Sequence, residues 1–161
     1  MVIGMGNELL GDGGIGPRVV QGLKRYPLDA CGVSFIFETL PAGGLEVIHL
    51  LSGKDYAFII DAIGGNEAEP AEIRIYNEET YHTSFYLDNF HDFPLSQALR
   101  MARDAGFTIP ENLEIIGIGI LENHTFTQSL SPELKGRFNI LLKHISDHIC
   151  NRIRQQAALA I

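Results

Sequence analysis

Residues 6–16, GNELLGDGGIG, put five glycines and the acid Asp12 into eleven positions. A loop this rich in glycine turns sharply or lets its backbone approach something closely. Three occupants suit it: a phosphate, a metal, or another chain. A second chemical signal is YAFIIDA, residues 56–62, an apolar run that closes on Asp61. A carboxylate at the end of a buried strand is costly unless a metal or a hydrogen-bond network compensates it. The literal string GDGGIG, residues 11–16, matches GxGxxG, and Glu38 follows Gly16 by 22 residues, about where a dinucleotide site places its ribose-binding acid. Yet that fingerprint opens directly at the end of its strand, and Gly11 stands seven residues beyond Gly4. A Walker loop fails too, because Asp12 rather than Lys-Ser/Thr follows Gly11. His144 and His148 have the i, i+4 spacing of a helical zinc pair but no third ligand beside them. No serine or cysteine has a partner histidine in the sequence, so a covalent nucleophile is not expected.

The elements that position these residues alternate. MVIG reads as a first strand, and Pro17 with Val19, Val20 and Leu23 as a helix with an apolar stripe. GVSFIFETL is a second strand, and GGLEVIHLLSG a helix stopped by Gly53. YAFIIDA and LEIIGIGI are continuous apolar runs, the signature of strands buried on both faces. AEIRIYNEE alternates apolar and polar residues and predicts a half-exposed, antiparallel strand. Residues 77–93 are polar and aromatic without a period. PLSQALRMARDAG is a helix closed by Gly106. A long helix over 131–156 opens at SLSPEL, with Ser131 as cap, Pro132 first and Glu133 in the first turn. This order predicts one α/β domain over residues 1–161, a three-layer α/β/α sandwich around a mostly parallel mixed sheet. Ligands then gather beyond the carboxyl ends of the strands. The loop 6–16, residues 39–44, Asp61 and the segment after Ile120 should share that edge.

The 161 residues suffice for a real core, and 45% are apolar, which excludes disorder. No apolar run reaches the roughly 20 residues of a membrane span. No charged start with a long apolar stretch marks a signal peptide, so a cytoplasmic location is expected. The formal net charge of −8 argues against nucleic-acid binding. Cys31 and Cys150 form no CxxC motif and read as buried, inert thiols of a reducing compartment.

GMGNELLGDGGIGPRVV resembles the opening of the hydrogenase maturation endopeptidases, whose loop runs roughly G-x-G-N-x-L-x-x-D-[DE]-x-x-G. Gly4, Gly6, Asn7, Leu9, Asp12 and Gly16 match it. FIIDAI resembles that family's buried strand ending in an acid, and NFHDFPLSQALRMA its histidine segment before an amphipathic helix. LEIIGIGI and SLSPEL resemble its last strand and the start of its last helix. The resemblance runs along essentially the whole chain, in order. It implies a metal-dependent endopeptidase that removes a C-terminal extension from the large-subunit precursor of a nickel–iron hydrogenase after nickel insertion.

By that resemblance Asp61 is one metal-binding acid and His91 the metal-binding histidine. The cofactor is a divalent metal, nickel supplied with the substrate. Two carboxylates and an imidazole suit a divalent first-row metal. The second acid of the family falls on Gly13, which has no side-chain ligand. Asp12 is the nearest replacement and Glu8 another. Asp12 could instead hold backbone N–H groups of its own loop. His91 could instead bond Asp88 or Asp92, which could equally orient its ring. Two further departures fall on the same edge: Thr39, Leu40 and Pro41 replace D-G-G, and Glu122 and His124 are added where the family tends to read G-x-Q-P. The competing readings are a binding protein that checks an immature hydrogenase subunit and, behind it, a dinucleotide oxidoreductase.

Overall fold

The computed structural model describes residues 1–26, 28, 32–41, 45–64, 68–81, 95–121 and 126–159. Its sheet has five strands in the order β2-β1-β3-β5-β4. These are β1 (Val2–Met5), β2 (Phe37–Leu40), β3 (Tyr56–Ile63), β4 (Ile73–Tyr76) and β5 (Asn112–Gly119). β1, β2, β3 and β5 run parallel, and β4 pairs antiparallel with β5. The alternation in AEIRIYNEE marks this edge strand, which has only one neighbour.

Among the described residues four helices cover the sheet: α1 (Ile15–Leu23), α2 (Glu46–Leu51), α3 (Leu95–Asp104) and α4 (Pro132–Leu159). β3 and β5 are apolar throughout because both faces are covered. On one face Phe58, Ile60, Ile116 and Ile118 pack against Val19 and Val20 of α1 and Ile145 and Ile149 of α4. On the other, Ile3, Ile59 and Ile115 pack against Val47 and Leu51 of α2 and Leu99 of α3. The architecture is the expected α/β/α sandwich around a mixed, mostly parallel sheet.

Two of the boundaries that differ from the sequence reading bear on the site. β2 begins at Phe37 rather than near Val33, since an outermost strand is held from one side only. α1 begins at Ile15, because a 3-10 turn over Gly11–Gly14 winds directly into it. Residues 6–14 therefore separate β1 from α1, and the helix does not open off the strand end as a dinucleotide cradle requires. Glu38 is exposed on β2.

The thiol expectation is corrected at Cys150, which is disulfide-bonded. Sequence spacing carries no information about which side chains the fold brings together. The disulfide removes the thiol argument for a reducing compartment. Among the described residues no helix is long and apolar enough to cross a membrane.

Candidate active site

Four parallel strands direct their carboxyl ends to one edge, and the chain's unusual residues collect there. The loop 6–14 is folded by close backbone approach. Gly6 has φ +131°, and a Cβ there would stand 2.2 Å from the Gly13 carbonyl oxygen. A Cβ on Gly16 would stand 2.3 Å from the Met5 carbonyl oxygen and 2.4 Å from that of Ile60. The glycines thus seat the start of α1 directly on the two central strands. Leu10 forms a parallel bridge with Thr127, and the Gly11 N–H donates to the Thr127 carbonyl at 2.7 Å. Arg18 locks the same two segments: its Nη2 donates to the carbonyls of Glu8, at 3.0 Å, and Gln128, at 2.5 Å.

Asp61 lies two residues before the end of β3, in register with Gly117 of β5, and is 1% exposed. Alternation places its side chain on the α2/α3 face with Ile59 and Ile63. Its Oδ1 accepts the N–H of Ala62 at 2.8 Å, and its Oδ2 accepts the hydroxyl of Tyr81 at 2.5 Å. Burial pushes the carboxyl up to about 7, against the pull of the Tyr81 and Ala62 hydrogen bonds. Among the described residues no cationic side chain offsets that burial.

Asp12 is also 1% exposed. Its Oδ1 accepts the backbone N–H of Ser131 at 2.6 Å, so it caps the N-terminus of α4 rather than its own loop. Ser131 adds its own hydroxyl, which accepts the Leu134 N–H at 3.3 Å. Asp12 Oδ2 is buried without a hydrogen-bond partner among the described residues. Asp61, a buried carboxylate with no cationic partner among the described residues, is the donor chemistry a divalent cation would satisfy. The bonded oxygen of Asp12 faces α4, whereas Asp61 faces the opposite layer.

His91, Glu122 and His124 lie outside the described residues. Among the described residues no three His, Cys, Asp or Glu side chains converge into a metal cluster. Glu8 turns toward α1, where its Oε1 accepts the amide of Gln21 at 2.8 Å. His148 is bonded elsewhere: its Nε2 lies 2.7 Å from Glu114 Oε2, and Arg152 Nε donates to Glu114 Oε1. Burial raises the Glu114 carboxyl, but these two partners hold it below the usual carboxylate range. The cluster ties α4 to the amino half of β5, away from the loop edge.

Beside the loop a cleft of about 490 Å³ opens between Asn7–Leu9, Arg18 and Gln21 of α1, Thr39–Pro41 and Gln128. Asp61 does not line it. Leu9 is exposed at its rim, and Phe126, next to the Thr127 bridge, is 82% exposed.

The sequence profile of the hydrogenase maturation protease family (HycI) matches residues 17–148. The chain belongs to the hydrogenase maturation protease family. It is 30% identical over 138 residues to the hydrogenase 2 maturation protease of Escherichia coli K12, covering 83% of this chain and 76% of that protein. It is 25% identical over 156 residues to the coenzyme F420 hydrogenase subunit delta of Methanothermobacter thermautotrophicus, covering 92% and 93%. Among solved structures, the hydrogenase maturating endopeptidase HybD of E. coli superposes with a TM-score of 0.66 at 26% identity, covering 89% of this chain and 87% of that one. This maturation protease family member carries Gly13 where the resemblance expects an acid, and Tyr81 as an Asp61 partner that the sequence reading missed. Its signals were the Asn77–Thr80 turn just before it and Gly117 opposite Asp61, a strand glycine that marks a close approach.

Proposed function

We propose that the chain removes a short C-terminal extension from the large-subunit precursor of a nickel–iron hydrogenase, reading nickel carried by that precursor. In this reading Asp61 and His91 hold the cation, while Asp12, bonded toward the opposite layer, holds the start of α4 to the loop. The observation that supports it is Asp61, a buried carboxylate at the carboxyl end of its strand, held at about 7 with no cationic partner among the described residues. When bound, the metal supplies orientation of the scissile region or polarisation of its carbonyl. The chain's own residues do the rest. Asp61 gives up its proton readily near neutrality to a site that gains positive charge. Arg18 holds the loop 6–10 against Gln128, keeping the cleft open for an extended peptide. Exposed Leu9 and Phe126 give the precursor an apolar face at the same edge. A cytoplasmic location belongs to the same reading.

A second reading is favoured by one position and one relative. Gly13 lacks the second acid, and a relative matched over most of both chains carries the name of a hydrogenase subunit rather than a protease. In that reading the chain binds and checks an immature subunit without cutting it. Incubation with a nickel-loaded large-subunit precursor separates the two. Mass spectrometry should find the precursor shortened at its C-terminus. A stable complex with the extension intact would favour the checking role, and no association at all would sink both.

A further inference from the structure

We propose that Tyr81 is the positioning residue of this site: its hydroxyl pins one oxygen of Asp61 so that the carboxylate's remaining lone pairs are aimed at an incoming divalent cation. The proposal rests on reading Asp61 as a cation ligand.

An ionised carboxylate offers about four acceptor positions on its two oxygens. The Ala62 N–H takes one on Oδ1 and the Tyr81 hydroxyl one on Oδ2. Among the described residues nothing takes the second position on either oxygen, and the plane of the group is fixed before any cation arrives. Ligands whose orientation is set by an outer hydrogen bond bind metal more tightly, since the ordering cost is already met.

Tyr81 is suited to this by its mount. Asn77 Oδ1 accepts the N–H of Glu79, the N–H of Thr80 and the Thr80 hydroxyl, while Thr80 Oγ1 accepts the Asn77 N–H at 3.0 Å. The Tyr81 N–H closes the turn on the Asn77 carbonyl at 3.0 Å. The segment 76–81, without a period of its own, is therefore a rigid clasp anchored at the end of β4. The Tyr76 ring meets that of Tyr81 edge-on, with centroids 5.8 Å apart. Gly117 leaves the space for this, since a Cβ there would stand 3.0 Å from the Tyr76 ring. Tyr81 is 6% exposed, so its hydroxyl is delivered to Asp61 from within the α2/α3 layer.

A tyrosine that only filled the core would leave metal binding unchanged when its hydroxyl is removed. The test is calorimetric zinc titration of the metal-free full chain, its Tyr81→Phe variant and its Asp61→Asn variant, with the visible spectrum of the cobalt(II) forms. Tyr81→Phe keeps the ring packing and should bind zinc about tenfold to a hundredfold more weakly, with an altered cobalt spectrum. Thr80→Val, which loosens the turn but keeps the Tyr81 hydroxyl, should weaken binding by a smaller factor and decides the matter if Tyr81→Phe fails to fold. Unchanged zinc affinity and cobalt spectrum in these variants would overturn the proposal. Wild type that binds no zinc, or Asp61→Asn that binds it equally well, would overturn the metal reading and the proposal with it. That failure is distinguishable because it shows without the Tyr81 variant.

Discussion

Replacing Asp61 with asparagine is expected to remove the pH dependence that this residue gives the metal-free protein. Its carboxyl is held at about 7 in the folded chain against 3.8 for an ordinary aspartate. Between those values the folded state keeps a proton that the unfolded state has lost, so stability falls as pH rises. The contribution is fully present below pH 3.8 and is lost as pH rises through about 7. A displacement of this size corresponds to roughly 4 kcal/mol between pH 4 and pH 8. Asparagine cannot ionise and stays near the protonated form in shape. Urea unfolding of both proteins with a chelator, at several pH values across that range, gives the difference in stability. Comparing the pair cancels the other carboxylates, whose own pH dependence is common to both. The asparagine variant should gain on wild type by roughly 4 kcal/mol as pH rises from 4 to 8. Zinc at pH 8 should return much of the loss to wild type alone. A difference that stays flat with pH, or grows in favour of aspartate without metal, would refute the burial argument.

Three further outcomes follow from the same geometry. Gly13→Asp should tighten zinc binding by supplying the missing acid, read by calorimetry; no gain would mean that another residue already fills the place. Gly16→Ala should cost about 3 kcal/mol or more in urea unfolding, because its Cβ meets strand carbonyls that cannot move aside, whereas Gly136→Ala on the open face of α4 should gain about 0.5–1 kcal/mol. Glu114→Ala should cost about 2 kcal/mol at neutral pH by cutting α4 from β5. Its lowered carboxyl makes that contribution present at neutrality and lost as pH falls through the folded-state value, so the variant and wild type should converge in acid.

How much of this was legible depended on how local the cause was. β3 and β5 were plain because burial on both faces writes itself as an unbroken apolar run. α4 was plain because Ser131, Pro132 and Glu133 are a cap, a first residue and a first-turn acid. Asp61 stood out because an acid at the end of such a run demands compensation. What compensates it did not show: Tyr81 is 20 residues away, in a stretch without periodicity. Asp12 suggested a bond within its own loop, yet its partner Ser131 is 119 residues distant and is reached only once α4 packs beside α1. The His144–His148 spacing hinted at zinc, but Glu114, on a strand 34 residues earlier, takes His148 first. Local patterns fix elements, while the pairing of polar groups across layers is decided by the packed fold.

The central claim is that Asp61 is the buried carboxylate that takes the cation. Crystals grown with zinc, measured on both sides of the zinc absorption edge, test it most directly. The account predicts one anomalous peak about 2.0–2.2 Å from a carboxylate oxygen of Asp61 and from a ring nitrogen of His91. A peak confined to the surface histidines of α4, with Asp61 bonded only to Tyr81 and Ala62, would contradict it.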